Sequence, residues 1–297
     1  MWPRAILFDL DDTLFDHQRA STLALGAMHA AHAPDLPFEP FANKHAEVLE
    51  IFHARFLAGE FTLDQARVAR MQPLFAAFER DIDAATAIEA AQRYRESHQA
   101  NRHLVPGTIE LLDRVREHCR LGVVTNNSTI EQIEKLRALN IASYFDTVVI
   151  SEDVGITKPD PRIFEIALER VGAHAHEAVF IGDNWTNDVV GAIKVGMAAV
   201  WLSREGKTCS SRFPLHREAV SQAIRMQIET PAQRPATADI TGQKWPGSRT
   251  DVGVLSSRIV TINALTPITQ AISAIQTAFK NRTVGAKHNE QLETLAP

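Results

Sequence analysis

Short apolar runs alternate with helix-period stretches along most of this 297-residue chain. Ala5–Phe8, Leu121–Thr125, Thr147–Ile150, Ala178–Ile181 and Ala198–Leu202 are continuous runs rather than alternating ones, which predicts strands covered on both faces. Helical patterns lie between them. Pro106-Gly107 opens one, with Ile109, Leu112 and Val115 three apart. Ser128-Thr129-Ile130-Glu131 has the form of a capping box and starts another, with Ile130, Ile133 and Leu136 as its expected inner face. Pro161 suits the first turn of a third helix, where Ile163, Phe164, Ala167, Leu168 and Val171 form the apolar stripe and Gly172 the stop. Strand followed by helix, repeated, predicts an α/β fold: a Rossmann-like parallel sheet with helices on both faces.

One stretch departs from that rhythm. Residues 17–102 carry helical patterns and no good strand. Phe41, Val48, Phe52 and Phe56 mark one helix, Gly59 interrupts it, and Thr62-Leu63-Asp64-Gln65 can cap the next. Pro73 is expected to kink or end that helix, and another spans Ala84–His98. The division predicted is an α/β core from 1–16 and 103–205, with a small all-α cap domain at 17–102 over whatever the sheet presents. Residues 206–257 are rich in Ser, Thr, Arg, Gln and Pro and are expected to form a loop or a disordered insert. Arg258–Asn263 is a strand candidate. Thr266-Pro267 then opens a helix with Ile268, Ala271, Ile272, Ile275 and Phe279 on one face, so 258–297 reads as a terminal strand and helix of the core. An altered or recombined tail is the alternative. No internal repeat is present.

Composition narrows the partners. Apolar residues make up 45% and charged residues 23%, enough to bury a core and stay in solution. Net charge is −5 and the pI about 6.2, with no basic stripe to track a nucleic acid polymer. The two cysteines, Cys119 and Cys209, show neither a disulfide framework nor metal spacing. No apolar run approaches membrane-spanning length, and the start lacks a signal peptide's basic and long apolar regions. The expectation is a soluble cytoplasmic protein, monomer or homodimer, without membrane contact.

Active sites of open parallel sheets lie at the carboxyl ends of the strands. Asp9, Asp11 and Thr13 follow the first strand candidate, and Thr125 and Asn126 the second. Lys158 lies beyond the third, within GITKPDP, and Asp183 and Asp188 follow the fourth, within IGDNWTND. Carboxylates from two strands can hold Mg2+, which prefers oxygen ligands. With Lys158 beside it, such a site attracts a phosphate. One aspartate can attack phosphorus while a second protonates the leaving oxygen and later activates water. Thr125 and Lys158 are then clamps that position the phosphoryl group.

FDLDDT, VVTNNS, GITKPDP and IGDNWTND, in this order, resemble the four motifs of the haloacid dehalogenase superfamily, in its phosphatase branch with a helical cap after the first motif. YFDTVVISEDVGITKPDPRIFEIALERVG is similar to its nucleotidase-like and small-metabolite phosphatases. The resemblance covers roughly residues 4–205. It implies Asp9 as nucleophile and metal ligand, Asp11 as general acid/base whose backbone carbonyl also ligates Mg2+, and Thr13 as support for the loop. It further implies that Thr125 and the Asn126 amide bind phosphate and that Lys158 orients the nucleophile and stabilises the phosphate. Asp183 is implied as a direct metal ligand, and Asp188 as holding the metal shell directly or through water. The expected activity is Mg2+-dependent hydrolysis of a small phosphorylated metabolite through an aspartyl-phosphate, as by a nucleotidase or a sugar or metabolite phosphatase.

Three alternatives stay open. A metal-free 2-haloacid dehalogenase is disfavoured because those relatives lack an acid/base aspartate at the position of Asp11. A phosphomutase differs only in where the phosphate goes. A non-catalytic binding module would be marked by a lost motif residue, and none is lost. Beside the motifs, Asp12 and Asp16 read as turn and capping residues, His17 as a hinge or surface residue, and Trp185 as packing. The cap phenylalanines read as its core, and Cys119 as a small buried packer.

Overall fold

The computed structural model of the chain describes residues 1–204, 258–265 and 268–293. The insert expected at 206–257 and Cys209 therefore lie outside the described residues. Six strands form one sheet: β1 (Ala5–Phe8), β2 (Arg120–Thr125), β3 (Thr147–Ile150), β4 (Ala178–Gly182), β5 (Ala198–Leu202) and β6 (Ile259–Ile262). Their order is β3-β2-β1-β4-β5-β6, and every neighbouring pair runs parallel. β1, β4 and β5 are buried at every residue, which accounts for their continuous apolar sequence.

Side chains alternate between two apolar layers. Ile6, Phe8, Val179, Ile181 and Val200 face one, with Leu111, Leu112 and Val115 of α6 (Thr108–Arg116) and Ala271, Ile275 and Phe279 of α11 (Ile268–Glu293). Ala5, Leu7, Val124 and Phe180 face the other, against Ile163, Phe164, Ala167, Leu168 and Val171 of α9 (Pro161–Val171). Gly172 ends α9 at φ 67°, a left-handed value that glycine adopts without a Cβ clash. Cys119 is buried in the first layer, where burial pushes its thiol up to about 12.

Between β1 and α6 come α1 (His17–His32), α2 (Phe38–Leu57), α3 (Leu63–Ala69), α4 (Met71–Ala76) and α5 (Ala84–Ala100). They share an apolar cluster of their own around Ala24, Met28, Phe41, Leu74, Phe75, Ala90 and Tyr94. Two chain segments connect them to the sheet side by side: Val105 N donates to Leu14 O at 2.8 Å and Asp16 N to His103 O at 2.9 Å. Thr62 and Gln65 form the reciprocal capping box of α3. Pro73 breaks no helix: the break falls at Arg70, and Pro73 sits in the first turn of α4, where a missing N–H costs nothing.

The helix after β2, α7 (Thr129–Ala138), corrects its expected inner face. Ile130 is 72% exposed, whereas Glu131, Gln132, Lys135 and Leu136 are buried. Ser128 caps the helix by accepting from Glu131 N at 3.3 Å. The Glu131 carboxylate does not close the box; it pairs with Arg67 and Arg102, at 2.8 Å each. A polar face can be inward here because each group finds a charged or hydrogen-bonding partner. The remaining elements are α8 (Ser151–Val154), α10 (Gly191–Lys194), 3-10 turns at Ala142–Tyr144 and Ala175–Glu177, and a π-helical segment at Trp185–Val190. No helix among the described residues is long and apolar enough to cross a membrane.

Candidate active site

β1 lies where the strand order reverses, with β2 and β3 on one side and β4 to β6 on the other. Parallel sheets open a crevice at the carboxyl ends beside such a point. Asp9 leaves β1 there, its N–H still donating to Ile181 O of β4 at 2.9 Å, and Asp183 leaves β4. The chain then turns tightly: Leu14 and Phe15 N–H both donate to Leu10 O at 2.9 Å, and Asp12 takes φ 64°. The Asp12 carboxylate accepts from Gln18 N at 2.8 Å, and Asp16 caps α1. Arg204 stands 3.0 Å from Asp16 and 3.6 Å from Asp12, so both carboxylates shape the exit from the turn. Thr13 is fully buried, but its hydroxyl has no hydrogen-bond partner among the described residues; it fills space in the turn instead of tying it.

Lys158 joins two of the carboxylates. Its Nζ donates to Asp9 Oδ1 and to Asp188 Oδ1, both at 2.6 Å, and it is 5% exposed. Burial works against its charge, yet Asp188 and Asp9 together hold its pKa above the usual lysine range. The loop that presents it, with a cis Lys158–Pro159 bond, is clamped by the Asn126 side chain. Asn126 Nδ2 donates to Lys158 O at 3.0 Å, and Lys158 N donates to Asn126 Oδ1 at 2.8 Å. Asp188 is completely buried and its other oxygen accepts from Asn184 N at 2.9 Å. Gly182 is required beside it, since a Cβ there would run into the Asp188 carboxylate.

Asp183 completes the group. One carboxylate oxygen from each of Asp9, Asp183 and Asp188 lies within 4.8 Å of the others. Burial pushes the Asp9 carboxyl up to about 7, opposed by Lys158 and assisted by Asp188. Burial, then Asp9 and Asp188, push Asp183 up to about 8. Three carboxylates against one ammonium leave excess negative charge, and only oxygen donors converge. That donor set fits a hard divalent cation such as Mg2+.

Asp11 is held elsewhere. Lys135 Nζ of α7 donates to both its oxygens, at 2.7 and 2.9 Å, and Gln132 Nε2 donates at 3.1 Å. Burial disfavours the Asp11 charge, but Lys135 and then His17 more than offset it, holding the carboxyl below the usual range. Gln132 Nε2 also donates to Thr125 Oγ1 at 2.7 Å, so one amide ties the end of β2 to the turn after β1. Glu131 is held down to about 2, burial being outweighed by Arg67. The polar face of α7 was not singled out in the sequence. Its signal is the spacing of Glu131, Gln132 and Lys135 on one helical face immediately after a strand-end Thr.

Residues 3–196 match the family described as haloacid dehalogenase-like hydrolase. The chain belongs to that family. A glyceraldehyde 3-phosphate phosphatase of Methanopyrus kandleri is 33% identical over 210 residues, spanning 68% of this chain and 84% of that one. The phosphoserine phosphatase of Thermus thermophilus is 32% identical over 224 residues, 68% and 89% of the two chains. Among solved structures, the putative HAD-hydrolase YfnB from Bacillus subtilis, bound to magnesium, superposes with a TM-score of 0.60 at 26% identity, covering 70% of this chain and 92% of its own.

In this hydrolase the three carboxylates, Asp11, Thr125, Asn126 and Lys158 all line one cavity of about 490 Å3. Its opposite wall comes from the helices after β1: His53 and Phe56 of α2, Arg67 and Arg70 around α3, and Tyr94 and His98 of α5. The phenylalanines there divide. Phe41 and Phe75 are core, whereas Phe52 and Phe56 line the cavity. His17 is neither surface nor free; its ring bonds Ser21 Oγ at 3.1 Å and His98 at 3.4 Å, and it faces the cavity. Trp185 packs edge-on against Trp201, with ring centroids 5.0 Å apart.

Proposed function

We propose that this hydrolase removes phosphate from a small cytoplasmic phosphomonoester through an aspartyl-phosphate on Asp9. Asp9, Asp183 and Asp188, with the Asp11 carbonyl, are the residues that would hold Mg2+. When bound, the cation would polarise the phosphoryl oxygens and offset the charge of the carboxylates. The observation that carries the reading is the meeting of Asp9, Lys158, Asp183 and Asp188 at the sheet's switch point, under a wall of helices.

Each residue has a task in this reading. Lys158 opposes protonation of Asp9 and holds it fixed, so that Oδ can form the bond to phosphorus as the bond to the leaving oxygen breaks. Thr125 and the Asn126 amide hold the phosphoryl oxygens. Asp11 gives a proton to the leaving oxygen, then takes one from the water that attacks phosphorus and regenerates the Asp9 carboxylate. Lys135 and Gln132 anchor Asp11 between turnovers. An arriving phosphate dianion raises the proton affinity of the neighbouring carboxylate and so prepares it as the acid. Residues 17–102 act as a cap on the two paired connecting segments, closing over the substrate and excluding bulk water.

The test is hydrolysis of 4-nitrophenyl phosphate with Mg2+ and with excess chelator. Turnover should vanish with chelator and in Asp9→Asn. Full activity of Asp9→Asn would overturn the assignment.

A further inference from the structure

The wall opposite Asp9 holds an arginine that the dephosphorylation itself does not use. Arg70, at the junction of α3 and α4, is 5% exposed and lines the catalytic cavity. The other arginines of that wall have carboxylate partners. Arg67 pairs with Asp64 at 2.9 Å and Glu131 at 2.8 Å, and Arg95 with Asp64 at 3.3 Å. Among the described residues no carboxylate pairs with Arg70. Its guanidinium lies over the Tyr94 ring, 4.8 Å from the centroid. Its Nε has no hydrogen-bond partner among the described residues. The neighbouring His45 adds no negative charge, and burial holds that imidazole neutral.

A buried guanidinium without a counter-charge is costly, and aromatic stacking offsets only part of that cost. The cost falls when an oxyanion enters the cavity that Arg70 lines and accepts from its guanidinium. Asp11, His53 and Arg70 all line this one cavity, so it joins the reacting end to Arg70. Its volume of about 490 Å3 suits a phosphoryl group together with a leaving group of a few carbons.

We infer that Arg70 is a specificity residue for a second oxyanion, a carboxylate or a second phosphate, carried on the leaving group of the substrate. This inference rests on the phosphatase reading above and names the substrate class within it: phosphorylated hydroxy acids or bisphosphates rather than alcohol phosphates with no second anionic group.

Two matched pairs of probes separate the cases. 3-Phosphoglycerate and glycerol 3-phosphate differ only in a carboxylate against a hydroxymethyl group. Propane-1,3-diol bisphosphate and 3-hydroxypropyl phosphate differ only in the second phosphate. Binding is measured by calorimetry with Mg2+ on the Asp9→Asn chain, which retains the cavity and does not need turnover. In one pair the member with the second oxyanion should bind about 30-fold tighter than the member without it. The pair that shows the preference identifies carboxylate or phosphate. Adding Arg70→Met should bring that ratio to within about threefold of unity, and Arg70→Lys should retain an intermediate preference. Equal binding within both pairs, or a preference that survives Arg70→Met, overturns the inference. Loss of binding that is equal for members with and without the second oxyanion marks Arg70 as merely structural and also overturns it. The phosphatase reading fails by a different result, turnover of 4-nitrophenyl phosphate that ignores Asp9.

Discussion

Lys135→Met removes the ammonium that holds Asp11 and keeps most of the side-chain volume. Lys135 is 1% exposed and meets both Asp11 oxygens, at 2.7 and 2.9 Å. Breaking a buried ion pair costs about 3–5 kcal/mol, because the remaining charge loses its partner. Asp11 is 22% exposed at its side chain and keeps Gln132 at 3.1 Å, so part of that loss is recovered through water and the amide. A destabilisation of about 2–3 kcal/mol is expected by denaturant titration. The kinetic effect should depend on the leaving group. An alkyl phosphate needs a proton from Asp11 as its bond breaks; 4-nitrophenolate leaves without one. The rate of leaving-group release in a single turnover should therefore fall about 100-fold for an alkyl phosphate and by less than about tenfold for 4-nitrophenyl phosphate. In a double-mutant cycle with Asp11→Asn, the coupling should be about 2 kcal/mol. Equal losses on both substrates, or additive effects in the cycle, would refute a role for Lys135 through Asp11.

Gly182→Ala places a methyl against the Asp188 carboxylate and should displace it from Lys158, costing about 1–3 kcal/mol of stability and at least about 100-fold in kcat; wild-type kinetics would contradict the packing described. Mg2+ without substrate should raise the unfolding free energy by about 2.7 kcal/mol at 100 times its Kd in the wild type, and by much less in Asp183→Asn; equal gains would place the metal elsewhere. His45 is 4% exposed, and burial, with Arg70, lowers its pKa from 6.5 to about 3. The folded state thus binds this proton less readily than the unfolded state. Its contribution is fully present above pH 6.5 and is lost as pH falls toward 3, amounting to about 2 kcal/mol by pH 5. His45→Gln should flatten that slope in denaturant titrations between pH 8 and 5, and an unchanged slope would refute it.

The sheet was legible because its strands are covered on both faces. Burial on two sides leaves runs such as Ala5–Phe8 and Ala178–Ile181 without polar interruption, and the Asp or Thr that follows marks where each run meets solvent. The α9 stripe was legible for the same reason, since its whole inner face is apolar. α7 was not, because apolar periodicity assumes that the inner face of a helix meets an apolar core. There the inner face meets the site, so Ile130 points outward while Glu131, Gln132 and Lys135 point in. The Lys135–Asp11 contact spans 124 positions and leaves no local trace. Arg70 and His53 were equally hidden. Which helical residues face the cavity depends on how α2 to α5 pack on one another, and the periodicity of each helix alone does not state it.

The central claim is that Asp9 forms a covalent bond to phosphorus. Its most direct test is chemical trapping. The enzyme is mixed with Mg2+ and 4-nitrophenyl phosphate, quenched in acid during the first turnovers, and reduced with borohydride, which converts an acyl phosphate to the alcohol. Peptide mass spectrometry should find homoserine at position 9 and no conversion at Asp11, Asp183 or Asp188. Conversion at another aspartate, or none while phosphate release proceeds at its full rate, would contradict the account.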